Sequence, residues 1–135
     1  MSESVLSLNS VSVVREGRSI LGPVTFAIST GERWVILGPN GAGKSTLLNL
    51  LSTRIFPTQG TISILDKVMG KADLTELRTR IGICGAHIHE DIPEDERVQD
   101  VVLTAAYAVW GRWNEAYDLW DESRAVALLT TFGVR

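Results

Sequence analysis

The run Gly38-Pro39-Asn40-Gly41-Ala42-Gly43-Lys44-Ser45-Thr46 constrains this chain more than any other stretch. It matches the pattern Gly, four residues, Gly, Lys, Ser or Thr. The segment before it, Arg33-Trp34-Val35-Ile36-Leu37, is apolar and partly β-branched, which predicts a buried strand. The segment after it, Leu47-Leu48-Asn49-Leu50-Leu51, predicts a helix. Glycines at 38, 41 and 43 lack a Cβ, so the backbone between strand and helix can curl and turn successive N–H groups inward. Such N–H groups donate to phosphate oxygens, and the helix N-terminus adds partial positive charge. Lys44 is a cation suited to β- and γ-phosphates, the Ser45 hydroxyl suits Mg²⁺, and Thr46 offers a second hydroxyl to the α-phosphate. A plain glycine-rich turn beside an unrelated lysine is the competing reading. The flanking strand and helix patterns favour a nucleoside triphosphate site over it.

At 135 residues the chain suits one domain, and 44% hydrophobic content is enough to bury a core. A net charge of −3 gives no electrostatic support for nucleic-acid binding. The longest apolar run, Val101 to Trp110, contains Thr104 and is too short to span a bilayer. The N-terminal Met1-Ser2-Glu3-Ser4 has neither the positive nor the apolar region of a secretory signal. The single cysteine, Cys84, follows Ile81-Gly82-Ile83, which predicts a buried strand thiol. These features predict a cytoplasmic protein.

Residues Val5 to Val14 alternate and predict a strand. Glu16-Gly17-Arg18 is a hairpin turn, and a second strand runs near Val24 to Ile28. Thr61 to Leu65 and Ile81 to Cys84 read as further strands, with a short helix over Leu74 to Arg80 between them. His87 to Glu96 is polar and acidic and reads as a loop. Val98, Val101, Val102, Ala105 and Val109 fall on one helical face, and Trp113, Ala116, Tyr117 and Trp120 on another. The spacing places Trp113 and Trp120 in a helical core. Asp121 or Ser123 is positioned to cap a last helix carrying Ala125, Leu128, Leu129 and Phe132.

Taken in order, these motifs resemble the N-terminal half of an ABC-type ATPase domain of the P-loop NTPase superfamily. The Asn40 form of the glycine loop carries the resemblance. So do Pro57-Thr58-Gln59-Gly60-Thr61-Ile62, Leu77-Arg78-Thr79-Arg80-Ile81-Gly82 and Val98-Gln99-Asp100-Val101-Val102. The resemblance implies an α/β fold: an antiparallel β part, a P-loop strand–helix unit and the start of a helical subdomain. A nucleotide-binding part would span 1–84, and a loop with a partial helical subdomain 85–135. ATP and Mg²⁺ are the implied ligands. The implied contacts are Gly38, Pro39, Asn40, Gly41, Ala42, Gly43, Lys44, Ser45 and Thr46, with Ser45 also on the metal. The implied partners are a membrane permease subunit and a second ABC domain, as homodimer or paired domain, with a peripheral place at the inner face of the plasma membrane. Trp34 and Val101–Tyr107 resemble the soluble or importer-type branch. A soluble ABC ATPase acting on another macromolecule, and a nucleotide-binding module without hydrolysis, are the alternatives.

Two positions depart from the family pattern. The first hairpin usually carries an aromatic residue on which adenine stacks, whereas here Val14 and Arg15 occupy that place. An Arg15 guanidinium can lie flat on a base, so Arg15 is the candidate adenine contact, and phosphate contacts then dominate affinity. The glutamine expected after Ile81–Cys84 is replaced by Gly85 or Ala86, leaving His87, His89 and Glu90 as the polar groups of that loop. The signature segment, the acidic strand end and the water-polarising glutamate of the family do not occur in these residues. The resemblance therefore implies a piece of a longer protein, poorly stable by itself, with Trp34–Leu37 lacking a neighbouring strand.

Overall fold

The computed structural model describes residues 3–112 and 116–134. It divides into two compact units, Met1–Leu77 and Arg78–Arg135. Trp113, one of the expected core tryptophans, lies outside the described residues.

The first unit is built on a hairpin. Strand β1 (Ser4–Arg15) pairs antiparallel with β2 (Arg18–Ser29) across a turn in which Glu16 and Gly17 both have positive φ, 49° and 72°. Two consecutive positive φ values define the mirror-image turn whose twist suits a two-residue hairpin. Strand β3 (Gln59–Ile64) pairs antiparallel with the other side of β1, and the short β4 (Lys67–Val68) pairs with β3, giving the order β2-β1-β3-β4. Pro23 lies in β2, an edge strand, where a missing N–H costs no ladder bond.

Strand β1 does not alternate simply. Leu6 and Leu8 are buried, then Val11 and Val13, so the buried parity changes between residues 8 and 11. The cause is an extra residue at this point: Leu8 pairs with Phe26 and Val11 with Val24. Ser10 sits there with φ 50°, and its amide donates to the Thr25 hydroxyl at 2.9 Å. A bulge of this kind swaps the face that later side chains occupy. It keeps four apolar β1 residues in one core with Ile62, Leu47 and Leu50.

Helix α1 (Lys44–Leu51) begins within the glycine loop and buries Leu47 and Leu50. The expected strand over Arg33–Leu37 does not form: residues 32–39 have no strand pairing, and Val35 and Leu37 are 81% and 87% exposed. An apolar strand sequence needs a ladder partner as well as β propensity, and among the described residues none lies beside it. Helix α2 (Leu74–Thr79) buries Leu74 and Leu77.

In the second unit, residues 81–85 are likewise not a strand, so Cys84 is exposed rather than buried. The stretch read as a loop contains a 3₁₀ turn, Ala86–Asp91. Helix α3 (Val98–Ala105) packs on α4 (Leu119–Thr131). The buried face of α3 is Asp100, Leu103 and Thr104, not the expected valine stripe, with the Asp100 carboxylate paired to the exposed Arg112 guanidinium. Asp118 caps α4, and Asp121 at N3 closes a capping box with it, displacing the expected cap at Asp121 or Ser123. Trp120, at the second position of α4, is 84% exposed and not in a core. Of the expected apolar face of α4, Ala125 is buried, whereas Leu128 and Phe132 are exposed.

Candidate nucleotide site

The glycine loop joins residues 32–39 to α1. Gly41 has φ 83°, and Gly43, the N-cap of α1, has φ 95° and ψ 12°. These left-handed conformations favour glycine, and they let the chain reverse within a few residues. The Ala42 amide donates to the Pro39 carbonyl at 3.2 Å, closing the turn. The Lys44 ammonium folds back over the loop and donates to the carbonyls of Gly38 and Pro39, the second at 2.9 Å.

The start of α1 is prepared for an anion in three respects. Gly43 has no side chain to cap the helix, and no acidic residue lies in the first turn. Helix geometry leaves the first N–H groups without intrahelical acceptors. The Leu47 amide, donating to Gly43 O at 2.9 Å, makes the first regular bond. The earlier amides and the helix dipole are thus open to an anion, while the Lys44 ammonium rests on the loop carbonyls. Gly38, Pro39, Asn40, Gly41, Ala42 and Ser45 are exposed, while Gly43, Lys44 and Thr46 are half-buried. The Ser45 hydroxyl is in the first turn, an oxygen donor of the hard kind that Mg²⁺ accepts.

The loop is braced by β2, a support that the pattern of glycines and lysine does not reveal. A Cβ on Gly43 would lie 2.9 Å from the Ile20 carbonyl oxygen and 3.1 Å from Leu21 Cδ1. Ile20 is itself the extra residue of a second bulge, since Val13 pairs with Leu21 while Val14 pairs with Ser19. Bulges often re-aim the backbone beside a functional site. The end of the hairpin therefore runs past the phosphate loop. Arg15 and Arg18 face each other there as a cross-strand pair, and both are exposed.

At the far end of β2, Phe26 stacks on Trp34 with ring centroids 5.2 Å apart. The Trp34 indole donates to the Glu32 carboxylate at 3.0 Å, and the Ser29 amide donates to the same oxygen at 2.9 Å. The Ser29 amide first, and the Trp34 indole second, hold the Glu32 carboxyl below its ordinary value of 4.5.

In the second unit, His87 and His89 lie on the 3₁₀ turn, with the His89 ring Nδ1 against the Ala86 carbonyl. Among the described residues no three His, Cys, Asp or Glu side chains gather in a way that could hold a metal. The charges that do gather are Asp100, Arg112 and Glu96. Arg112 Nη1 donates to Asp100 Oδ1 at 2.7 Å, the Arg112 amide donates to Glu96 Oε2 at 3.0 Å, and the guanidinium lies 5.1 Å over the Tyr117 ring. The hydrogen bond to Asp100 raises the Arg112 pKa further. Among the described residues no helix is long and apolar enough to cross a membrane.

Against this geometry, the sequence model of the ABC transporter family matches residues 21–135. The chain belongs to the ABC transporter family. An ABC transporter ATP-binding protein of Streptococcus mutans serotype c is 35% identical over 130 residues, which are 96% of this chain and 50% of that protein. The ABC transporter ATP-binding protein YlmA of Bacillus subtilis is 35% identical over 96% of this chain and 49% of its own length. The phosphonates import ATP-binding protein PhnC 1 of Cupriavidus necator is 34% identical over 76% of this chain and 37% of its length. This ABC chain thus spans about half the length of the first two. Among solved structures, the ATP-binding cassette MJ0796, a dimer bound to ADP and phosphate, superposes with a TM-score of 0.72 at 22% identity, covering 96% of this chain and 58% of that one. The cbiO1 protein of Clostridium perfringens gives 0.69 at 24% identity over 98% and 52%. At these identities the structures establish the fold, an incomplete α/β P-loop NTPase fold with an antiparallel sheet.

Proposed function

We propose that this chain is the ATP-binding portion of an ABC transporter ATPase subunit, which couples ATP hydrolysis to movement of a substrate across a membrane. The glycine loop with its open helix N-terminus carries the reading. Residues Gly38 to Thr46 would hold the triphosphate: main-chain amides and the Lys44 ammonium on the phosphate oxygens, the Ser45 hydroxyl on Mg²⁺, the Thr46 hydroxyl on the α-phosphate. Lys44 must leave the Gly38 and Pro39 carbonyls to do so, exchanging two neutral acceptors for charged ones, which bind an ammonium more strongly. Mg²⁺, when bound, neutralises charge between the β- and γ-phosphates. Arg15 would meet the base.

The ABC transporter relatives support the transport role, and the import ATP-binding proteins among them support an importer. In this reading residues 1–84 bind nucleotide, and 85–135 belong to a helical subdomain facing a permease subunit at the inner face of the membrane. The apolar groove between α3 and α4, lined by Val98, Val126, Leu129 and Val134 with Arg97 at its rim, fits a contact with an amphipathic helix. The dimer of the MJ0796 cassette supports pairing with a second ABC domain.

Equilibrium dialysis with Mg-ATP tests the reading. The chain binds Mg-ATP saturably, and Lys44→Ala weakens binding by more than about tenfold, the loss of one charge-assisted contact. Equal affinity in chain and variant overturns it.

A further inference from the structure

Helix α1 is held against the hairpin at both ends. At its N-terminus the Gly43 cap meets the Ile20 carbonyl and Leu21. At its C-terminus residues 52–58 return to the sheet. The first part of this return is bonded to the helix. The Ser52 amide donates to the Leu48 carbonyl at 2.9 Å, and the Arg54 and Ile55 amides both donate to the Asn49 carbonyl, at 2.9 and 3.3 Å. Thr53, fully buried, sits among them. The last residue of the return is Thr58, and it is fastened to β1.

That fastening lies past the end of a ladder. The pairing of β1 with β3 stops at Ser12 and Gln59, where the Thr58 amide donates to the Ser12 carbonyl at 2.9 Å. Beyond it Thr58 continues with its side chain. The Val14 amide donates to Thr58 Oγ1 at 2.9 Å, and the same hydroxyl donates to the Val14 carbonyl at 3.4 Å. One hydroxyl thus serves both backbone groups of Val14. Across the hairpin Val14 pairs with Ser19 and Val13 with Leu21, and Ile20 bulges between these two pairs. Holding Val14 therefore sets where the bulge stands, and the bulge sets where Gly43 stands.

We propose that Thr58 is a positioning residue for the phosphate loop. Its hydroxyl fixes the hairpin at Val14, and through the Ile20 bulge it holds the N-terminus of α1 in the conformation that binds an anion. The role rests on the nucleotide site proposed above. A loop that must be ordered on binding loses affinity, and a loop already ordered does not. The hydroxyl touches no phosphate in this role, so its effect is the same for any ligand that carries the phosphates. A second bond of the same kind is the control. The Ser10 amide donates to the Thr25 hydroxyl at 2.9 Å, and Thr25, like Thr58, is exposed in the first unit. That bond braces the other bulge, five residues from Ile20 along β2, about 17 Å.

Calorimetric titration with Mg-ATP and Mg-tripolyphosphate tests this in the unaltered chain, Thr58→Val, Thr58→Ser and Thr25→Val. Thr58→Val is expected to weaken both ligands by the same factor, about three- to tenfold, the scale of one solvent-facing hydrogen bond. Thr58→Ser is expected to restore both, and Thr25→Val to leave both within about twofold of the unaltered chain. Unchanged affinity in Thr58→Val, an equal loss in Thr25→Val, or a loss for ATP alone overturns the positioning role while leaving the phosphate site intact. An unaltered chain that binds neither ligand overturns the phosphate site itself, and the role with it. Hydrogen exchange in the unaltered chain gives a second answer without any substitution, because coupling between sites is reciprocal. Saturating Mg-tripolyphosphate is expected to slow exchange at the Val14 amide by about three- to tenfold and to leave the Ser10 amide as it was. Equal behaviour of the two amides overturns the role.

Discussion

Gly43 and Ile20 meet backbone to backbone: a Cβ on the glycine would stand 2.9 Å from the carbonyl oxygen of the isoleucine. The contact joins the N-cap of the phosphate-loop helix to a bulge in the hairpin, so the loop is shaped from outside as well as by its own glycines. Gly43→Ala must move one of them and strain a φ of 95°. The expected outcome is a loss of about 1–3 kcal/mol in urea unfolding, together with a weaker affinity for Mg-ATP. A variant with unaltered stability contradicts the brace.

Gly60 opposes the other bulge. A Cβ there would overlap the Ser10 carbonyl oxygen and lie 2.6 Å from that of Asn9, both backbone atoms that cannot swing aside. Its φ is 88°. Gly60→Ala should destabilise the first unit by about 2–4 kcal/mol, larger than a typical surface change, and a thermal melt reads this directly.

The Glu32 carboxylate, held by the Ser29 amide and the Trp34 indole, has a lowered pKa. A depressed carboxyl stabilises the fold above its unfolded value of 4.5, and the contribution fades as pH falls through the lower folded value. Indole emission followed from neutral to acid pH should therefore show a transition below pH 4.5 that Glu32→Gln lacks. Identical titrations would remove the contact.

The Asp118 carboxylate accepts from the Asp121 amide at 2.8 Å and starts α4. Asp118→Ala should cost about 1 kcal/mol, and Asp118→Ser much less, in the unfolding of the second unit. Ser123→Ala, one of the caps expected from the sequence, should change little, since Ser123 is exposed within the helix.

Much of the first unit is legible in the sequence. The loop, the hairpin turn at Glu16-Gly17, β3 and α1 follow from glycine positions and β-branched runs, which act locally. Arg33–Leu37 and Ile81–Cys84 have strand sequences but form no strands, because strand formation is a pairing property, and pairing is not written in one segment. The Ser10 bulge reversed the parity of β1, which simple alternation cannot anticipate. In the helical unit, Trp120 reads as core by spacing, yet α4 begins only at Leu119 and exposes it. The pair of buried Asp100 and exposed Arg112 joins residues twelve apart and leaves no periodic mark. At the site, Lys44 and the glycines were evident from the pattern, whereas Ile20 and Leu21 carry no signal of their own, being ordinary strand residues.

In the function proposed above, main-chain amides between Gly41 and Thr46, with Lys44, grip a triphosphate. Amide nitrogen–proton spectra of the chain titrated with Mg-ATP test it most directly. The amide signals of Gly41, Gly43, Lys44 and Ser45 are expected to move together along a single binding curve, and this curve is expected to be lost in Lys44→Ala. Signals that stay fixed at these four residues while others in the chain respond would contradict it.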